Sequence, residues 1–202
     1  MLQAGSSIVV ATGNRGKLAE IRAILEEFRV EVVSQGELGI GEVEETGLTF
    51  VENALLKARN AAAHAGRPAI ADDSGLEVDA LGGAPGIRSA RYAGEPADDA
   101  ANIDRLLAAL ADTEERTAAF RCVMVFLRHA EDPAPVIAEG VWRGRILSGR
   151  RGEGGFGYDP VFLDPVLGRS AAELPPAEKN RVSHRARALR ELARRLGAGE
   201  AG

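Results

Sequence analysis

Apolar residues fall into two rhythms along this chain, one strand-like and one with a period near 3.6. Residues 7–11 (Ser-Ile-Val-Val-Ala) are β-branched in character and predict a strand. From Lys17 onward, Leu18, Ile21, Ile24, Leu25 and Phe28 recur at helical spacing, and residues 30–33 predict a second strand. Val51, Leu55, Ala58 and Ala62 mark one stripe of a helix over 49–65, which Gly66-Arg67-Pro68 stops. The apolar run Ala69-Ile70-Ala71 predicts a short buried strand, and 76–81 a possible further one. A third helix is expected over 98–111. Long strand-like runs follow at 116–129 and 136–147, joined by a hairpin-like loop at 132–135. Leu189, Leu192, Ala193 and Leu196 lie on one face of a last helix, with Ser183 as its expected N-cap. Glycine-rich loops fall at 36–47, 82–86 and 149–157. The pattern predicts an α/β fold. The two long central strands point to a second lobe on one continuous sheet, so that 1–202 reads as a single domain.

Bulk composition narrows the function classes. The 202 residues are 45% hydrophobic and 27% charged, enough for a sizeable core. The net charge of −5 offers no general attraction to nucleic acid or to an anionic membrane, so neither is an expected partner. An anionic ligand would have to be caught by local positive groups. The one cysteine, Cys122, lies in an apolar run and reads as a small core residue, consistent with a reducing, cytoplasmic setting. No run resembles a signal peptide or approaches the ~20 apolar residues of a membrane helix.

The candidate chemistry centres on Asp72-Asp73-Ser74-Gly75, which follows the 69–71 strand. Ligands collect at the carboxyl ends of strands in open α/β sheets. Successive strand residues point to opposite faces, so the two carboxylates cannot share one task. By itself the segment reads equally as a turn. Thr12-Gly13-Asn14-Arg15-Gly16-Lys17 joins a strand to a helix and offers amides and a lysine to an anion. It lacks the spacing of a Walker A loop and the third glycine of a dinucleotide fingerprint, and it reads equally as an ordinary loop. Glu44 and Glu45 lie in an acidic loop, where oxygen-only ligands would suit Mg²⁺. The three histidines and lone cysteine show no zinc spacing. Lys57 shares a helical face with Asn53, four residues earlier. Gly154-Gly155-Phe156-Gly157-Tyr158-Asp159-Pro160 places two aromatics on open backbone, able to stack a base. Lys179, Ser183, His184 and Arg185 gather donors before the last helix.

In order along the chain, these segments resemble the inosine triphosphate pyrophosphatase family. The resemblance runs from about Ile8 to Leu196. It rests on Thr12-Gly13-Asn14-x-x-Lys17, Glu45-Thr46-Gly47, Glu52-Asn53-Ala54-x-x-Lys57-Ala58 and Ala71-Asp72-Asp73-Ser74-Gly75-Leu76. It continues through Leu81-Gly82-Gly83-x-Pro85-Gly86, Gly155-Phe156-Gly157-Tyr158-Asp159-Pro160 and Ser183-His184-Arg185. The resemblance implies an elongated central mixed sheet flanked by helices, in two lobes with the active site in the cleft between them. It also implies a homodimer that uses Mg²⁺ to hydrolyse ITP, dITP and XTP to the monophosphate and pyrophosphate. On that resemblance, residues Thr12 to Lys17, Lys57 and Ser74 bind the substrate. Glu45 and Asp73, with Asp72 as metal helper or backbone brace, hold the metal. Asp73 is the base, with Lys17 also in the catalytic set. Phe156 stacks on the purine, Gly157, Tyr158 and Asp159 line its site, and Lys179, His184 and Arg185 donate to the 6-oxo edge. The alternatives are a related pyrophosphatase for modified pyrimidine or other aberrant nucleotides, and a nucleotide-binding module without catalysis.

Overall fold

In the computed structural model, which describes residues 7–197, the opening β-branched run forms β1 (Ser7–Ala11). It leads to α1 (Arg15–Glu26), which starts two residues before Lys17 because the Asn14 side chain caps it, accepting from Lys17 N at 3.0 Å. Then come β2 (Glu31–Ser34) and α2 (Phe50–Ala65). Thr49 and Glu52 form a reciprocal capping box at the start of α2, and Gly66 ends it in the left-handed conformation. Next are β3 (Ala69–Val78), α3 (Asp99–Ala109), β4 (Thr117–Leu127) and β5 (Val136–Ile146). The chain continues through β6 (Phe162–Asp164), β7 (Arg169–Ser170), α4 (Pro176–Val182) and α5 (His184–Arg195).

The strands form a seven-stranded sheet in the order β2-β1-β3-β4-β5-β6-β7. β1 pairs in parallel with β2 and β3, whereas β6 pairs antiparallel with β5 and β7. The fold is therefore α/β, as the pattern predicts, with the mixed sheet that the resemblance implies.

The described chain divides into two compact units, one of residues 7–73, 122–140 and 184–197, the other of 74–121 and 141–183. The first unit buries Ile8, Val10, Ile70, Met124 and Phe126 with Ile21, Ile24 and Leu25 of α1 and Leu189 and Leu192 of α5. Each such side chain removed from water contributes about 1.5–3 kcal/mol. The second unit buries Leu76, Val78, Ile103, Leu106, Phe120, Trp142 and Phe162. Trp142 brings its polar handle inside and donates from Nε1 to Asp164 Oδ2 at 2.7 Å. No helix among the described residues is long and apolar enough to cross a membrane.

The largest difference from the sequence reading is β3. It runs unbroken to Val78, so Asp72 and Asp73 stand inside a strand and not at its carboxyl end. Asp79–Leu81, expected to continue a second strand, is a single 3₁₀ turn. The pairing of β3 with β1 stops at Ala71, immediately before the two aspartates. Gly75 is what lets the strand pass on. A Cβ there would lie 2.2 Å from the Gly86 carbonyl oxygen, so any side chain would push this close approach apart. Helix α4 has no counterpart in the sequence reading. It spans only seven residues, too few for a periodic apolar stripe, and starts with Pro176 at its first turn.

The β4–β5 hairpin carries its own acid-sensitive clasp. Asp132 is buried in the turn and accepts from Arg128 N at 2.9 Å, Arg128 Nε at 2.8 Å and Ala134 N at 3.0 Å. The hydrogen bonds from Arg128 hold its carboxyl well below the usual carboxylate range. A depressed folded pKa gives stability that is complete above the unfolded value of about 4 and is lost as pH falls below it. Asp132→Asn is therefore expected to lower the thermal midpoint at pH 7. Thermal melts across pH should show this deficit shrinking as the pH falls below about 4.

Candidate active site

Within the first unit, the two aspartates of β3 face opposite sides of the strand and collect different partners. Asp72 is fully buried. Its Oδ2 lies 3.1 Å from Lys17 Nζ of α1 and 3.4 Å from Arg185 Nε of α5. Arg185 continues the chain by donating from Nη1 to Glu20 of α1. Lys17, Asp72, Arg185 and Glu20 thus form a row of alternating charge that sums to zero. Burial acts to raise the Asp72 carboxyl, but the Lys17 and Arg185 charges hold it well below the ordinary range. Those same carboxylates keep the buried Arg185 guanidinium firmly charged against its desolvation.

Asp73 turns toward α2. Its Oδ1 accepts from Lys57 Nζ at 3.2 Å and its Oδ2 from Asn53 Nδ2 at 3.2 Å. Lys57 also donates to Glu45 Oε1 at 2.8 Å. Asn53 is completely buried and accepts from Gly47 N at 2.8 Å, so it ties the Glu45 loop to the Asp73 carboxylate. Burial pushes the Asp73 carboxyl above its usual range, against the pull of Lys57 and Lys17 and aided by Glu45 and Asp72. Burial disfavours the Lys57 ammonium too, yet Asp73, Asp72 and Glu45 leave its pKa raised. Lys57 is therefore not a solvated surface lysine: its side chain is 14% exposed and lies between two carboxylates.

Glu45 and Asp73 therefore converge on one positive centre, the Lys57 ammonium. Carboxylate oxygens around a single cation are the donor set of a hard divalent ion, so these two residues fit Mg²⁺. Asp72 stands apart from them on the other face of β3. Among the described residues no three Asp, Glu, His or Cys side chains gather as a metal-binding group, so the expected trio does not form one cluster. The reason is strand geometry: adjacent side chains diverge.

The segment expected to hold an anion follows β1. Gly13, Asn14 and Arg15 are exposed, Gly16 is half-buried, and Thr12 Oγ1 accepts from Asn14 N at 3.2 Å. The Arg15 and Gly16 amides open α1 and can meet an anion beside Lys17.

Within the second unit, Phe156 and Lys179 assemble around Asp159. This buried carboxylate accepts from Phe156 N at 3.0 Å and pairs with Lys179 of α4. Lys179 Nζ lies 4.8 Å from the centroid of the Phe156 ring, a cation–π distance. Tyr158 is buried and donates from its hydroxyl to the Ser89 carbonyl at 2.9 Å. The half-buried Phe156 ring, a buried ammonium and a buried carboxylate make a surface suited to a flat heterocycle. Ser74 follows Asp73 on β3, half-buried, and His184 is buried as the first residue of α5. Arg185, expected as a donor to the base, is buried in the first unit against Asp72 and Glu20, where a guanidinium needs carboxylates around it.

A comparison with protein families matches residues 8–195 to the model of the Ham1 family. The chain belongs to the Ham1 family. This bears out the resemblance read from the motifs. Among Ham1 relatives, the chain is 63% identical over 191 residues to a dITP/XTP pyrophosphatase of Methylococcus capsulatus, covering 94% of this chain and 95% of that protein. It is 61% identical over 197 residues to a dITP/XTP pyrophosphatase of Halorhodospira halophila, covering 96% and 99%. The solved HAM1 protein of Coxiella burnetii superposes with a TM-score of 0.87 at 49% identity, covering 95% of this chain and 98% of that one. The Staphylococcus aureus Ham1 protein gives 0.83 at 42%, with the same coverage.

Two residues with clear structural parts in the site were given none from sequence. Glu20 lies three positions after Lys17, which places both on one helical face. Asn53 was noticed on the Lys57 face, but its bond to Asp73 spans twenty residues and has no local signal.

Proposed function

We propose that this chain hydrolyses dITP, XTP and ITP to the nucleoside monophosphate and pyrophosphate, and so clears deaminated purine nucleotides from the precursors of DNA and RNA. The observation that carries this reading is the divergence of Asp72 and Asp73. One carboxylate braces a lysine at an anion-binding helix start, and the other, with a raised pKa, shares a cation with Glu45. The near-complete match to relatives named dITP/XTP pyrophosphatase supports it.

In this reading the loop from Thr12 to Gly16, through the Arg15 and Gly16 amides, with Lys17 and Lys57, binds and orients the triphosphate. Phosphoryl transfer depends mostly on such positioning and charge neutralisation. Glu45 and Asp73 hold Mg²⁺, which when bound neutralises phosphate charge and makes a nearby water more acidic. Asp73 takes a proton from the attacking water as its oxygen bonds to phosphorus, and the α–β anhydride bond breaks to release pyrophosphate. A raised carboxylate pKa suits a group that must accept this proton. Asp72 stays ionised and aims Lys17. Phe156 stacks on the purine, with Lys179 and His184 as donors toward its 6-oxo edge and Asp159 fixing Lys179. A 6-amino group there would leave buried donors without acceptors, which costs an analogue ~10⁴ in discrimination. A homodimer in the cytoplasm belongs to the same reading, supported by the family resemblance and the reduced, buried Cys122.

Pyrophosphate release from a panel of triphosphates, with and without Mg²⁺, tests it. The expected result is turnover of dITP, XTP and ITP that depends on the metal, with dATP and ATP far slower. Equal rates on ATP and ITP would remove the specificity claim. A preference for modified pyrimidine triphosphates would favour the related pyrophosphatase instead.

A further inference from the structure

The loop that carries Phe156 is suspended from a part of the second unit to which the sequence reading gave no role. Phe156 N and Gly157 N are successive backbone amides, and each is taken by a carboxylate from a different element. Phe156 N donates to Asp159 Oδ2 at 3.0 Å, and Gly157 N donates to Asp99 Oδ2 at 2.7 Å. Hydrogen bonds to an ionised carboxylate are the stronger kind. The second bond spans 58 positions in sequence, from the first turn of α3 to the aromatic loop. Gly157 has a φ of 59°, a left-handed conformation that needs glycine or outside support to persist.

Asp99 is itself held in place. Asp98 caps α3, accepting from Ala101 N at 3.0 Å. Asn102, buried one turn on, accepts from Ala93 N at 2.6 Å and donates to the Ala90 carbonyl at 2.9 Å. That anchors the start of α3 to the segment around the 3₁₀ stretch Gly86–Arg91. The same stretch holds the loop from a second point. Ser89 presents its carbonyl to the Tyr158 hydroxyl, and its own hydroxyl accepts from Leu76 N of β3 at 2.8 Å. The aromatic loop is thus pinned at Gly157 by Asp99 and at Tyr158 by Ser89, with Phe156 beside them.

We propose that Asp99 is a positioning residue for base recognition, holding the Gly157 amide so that the Phe156 ring and Lys179 keep the spacing that receives a 6-oxopurine. The inference rests on the assignment of Phe156 to the base. Loss of Asp99 should loosen the platform and leave the hydrolytic groups of the first unit untouched. It should therefore act on KM and not on kcat.

The test compares four variants in steady-state kinetics with dITP and dATP. Asp99→Ala is expected to raise KM for dITP about tenfold, the scale of one hydrogen bond to a charged group, with kcat within twofold of wild type. It should also narrow the preference for dITP over dATP. Asp99→Asn keeps an acceptor for the Gly157 amide and should recover most of the loss. Asp132→Asn loosens the β4–β5 turn of the first unit without touching the loop, so it should lower the thermal midpoint and leave both constants unchanged. Phe156→Ala checks the underlying assignment and should raise KM at least as much as Asp99→Ala. If Phe156→Ala raises KM while Asp99→Ala behaves like Asp132→Asn, the role of Asp99 is overturned and the base platform stands. If neither raises KM, the platform assignment falls and the inference with it.

Discussion

Asp73→Asn is expected to cut kcat for dITP by at least ~10³, the upper range for losing a general base, while the folded protein keeps its stability. The two halves of this expectation come from one geometry. Asp73 accepts from Lys57 and Asn53 and shares the lysine with Glu45. Asparagine keeps the shape but can neither take a proton nor help Glu45 hold a cation. On the stability side, burial raises the Asp73 pKa, so the folded state disfavours the ionised form relative to the unfolded chain. Removing that charge therefore forfeits no stabilisation of the depressed-pKa kind at neutral pH. Lys57 retains Glu45 as its partner. The check is a pair of measurements on one preparation: turnover of dITP and a thermal melt. Retained turnover would take Asp73 out of the base role. A large drop in midpoint would mean that its carboxylate is structural.

Asp72→Asn is expected to do the reverse in its first effect. It should lower the unfolding free energy by about 3 kcal/mol, because it removes a fully buried carboxylate from two cations. For a chain of this size that is roughly 6–12 °C in midpoint. Lys17 would lose the contact that aims it, and Arg185 would lose one of its carboxylates. The pH dependence has a definite sign. The Asp72 pKa is depressed in the folded state, so its stabilisation is complete above the unfolded value of about 4 and is lost as pH falls below it. Wild type and Asp72→Asn should therefore converge in acid. Activity should fall as well, through weaker triphosphate binding, and show mainly as a higher KM. Equal stability of the two proteins at pH 7 would contradict the brace.

These contrasting neighbours show what the residue pattern reveals and what it conceals. The alternation rule was enough to say that Asp72 and Asp73 serve different faces. The stop of α2 at Gly66, the β1 strand and the long β4–β5 pair were legible because each is written in local spacing. So were Lys17, Glu45, Lys57 and the Phe156 loop, which lie in short motifs. Partners that lie far apart in sequence were not legible. Arg185 reaches Asp72 across 113 positions, and nothing near residue 185 distinguishes a base-reading arginine from a core arginine with two carboxylates. The continuation of β3 past Gly75 was concealed for the same reason. Asp-Asp-Ser-Gly has the composition of a turn, and only the close approach of the Gly86 backbone explains why it stays extended. The motif marks Lys57, but its two carboxylate partners, Glu45 and Asp73, lie too far along the chain for local spacing to show.

The most direct test of the account is to identify the products formed from dITP by wild type and by Asp73→Asn, using phosphorus NMR in the presence of Mg²⁺. The account predicts dIMP and pyrophosphate in equal amounts from the wild type and neither from the variant. Orthophosphate with dIDP, or wild-type rates from Asp73→Asn, would contradict it.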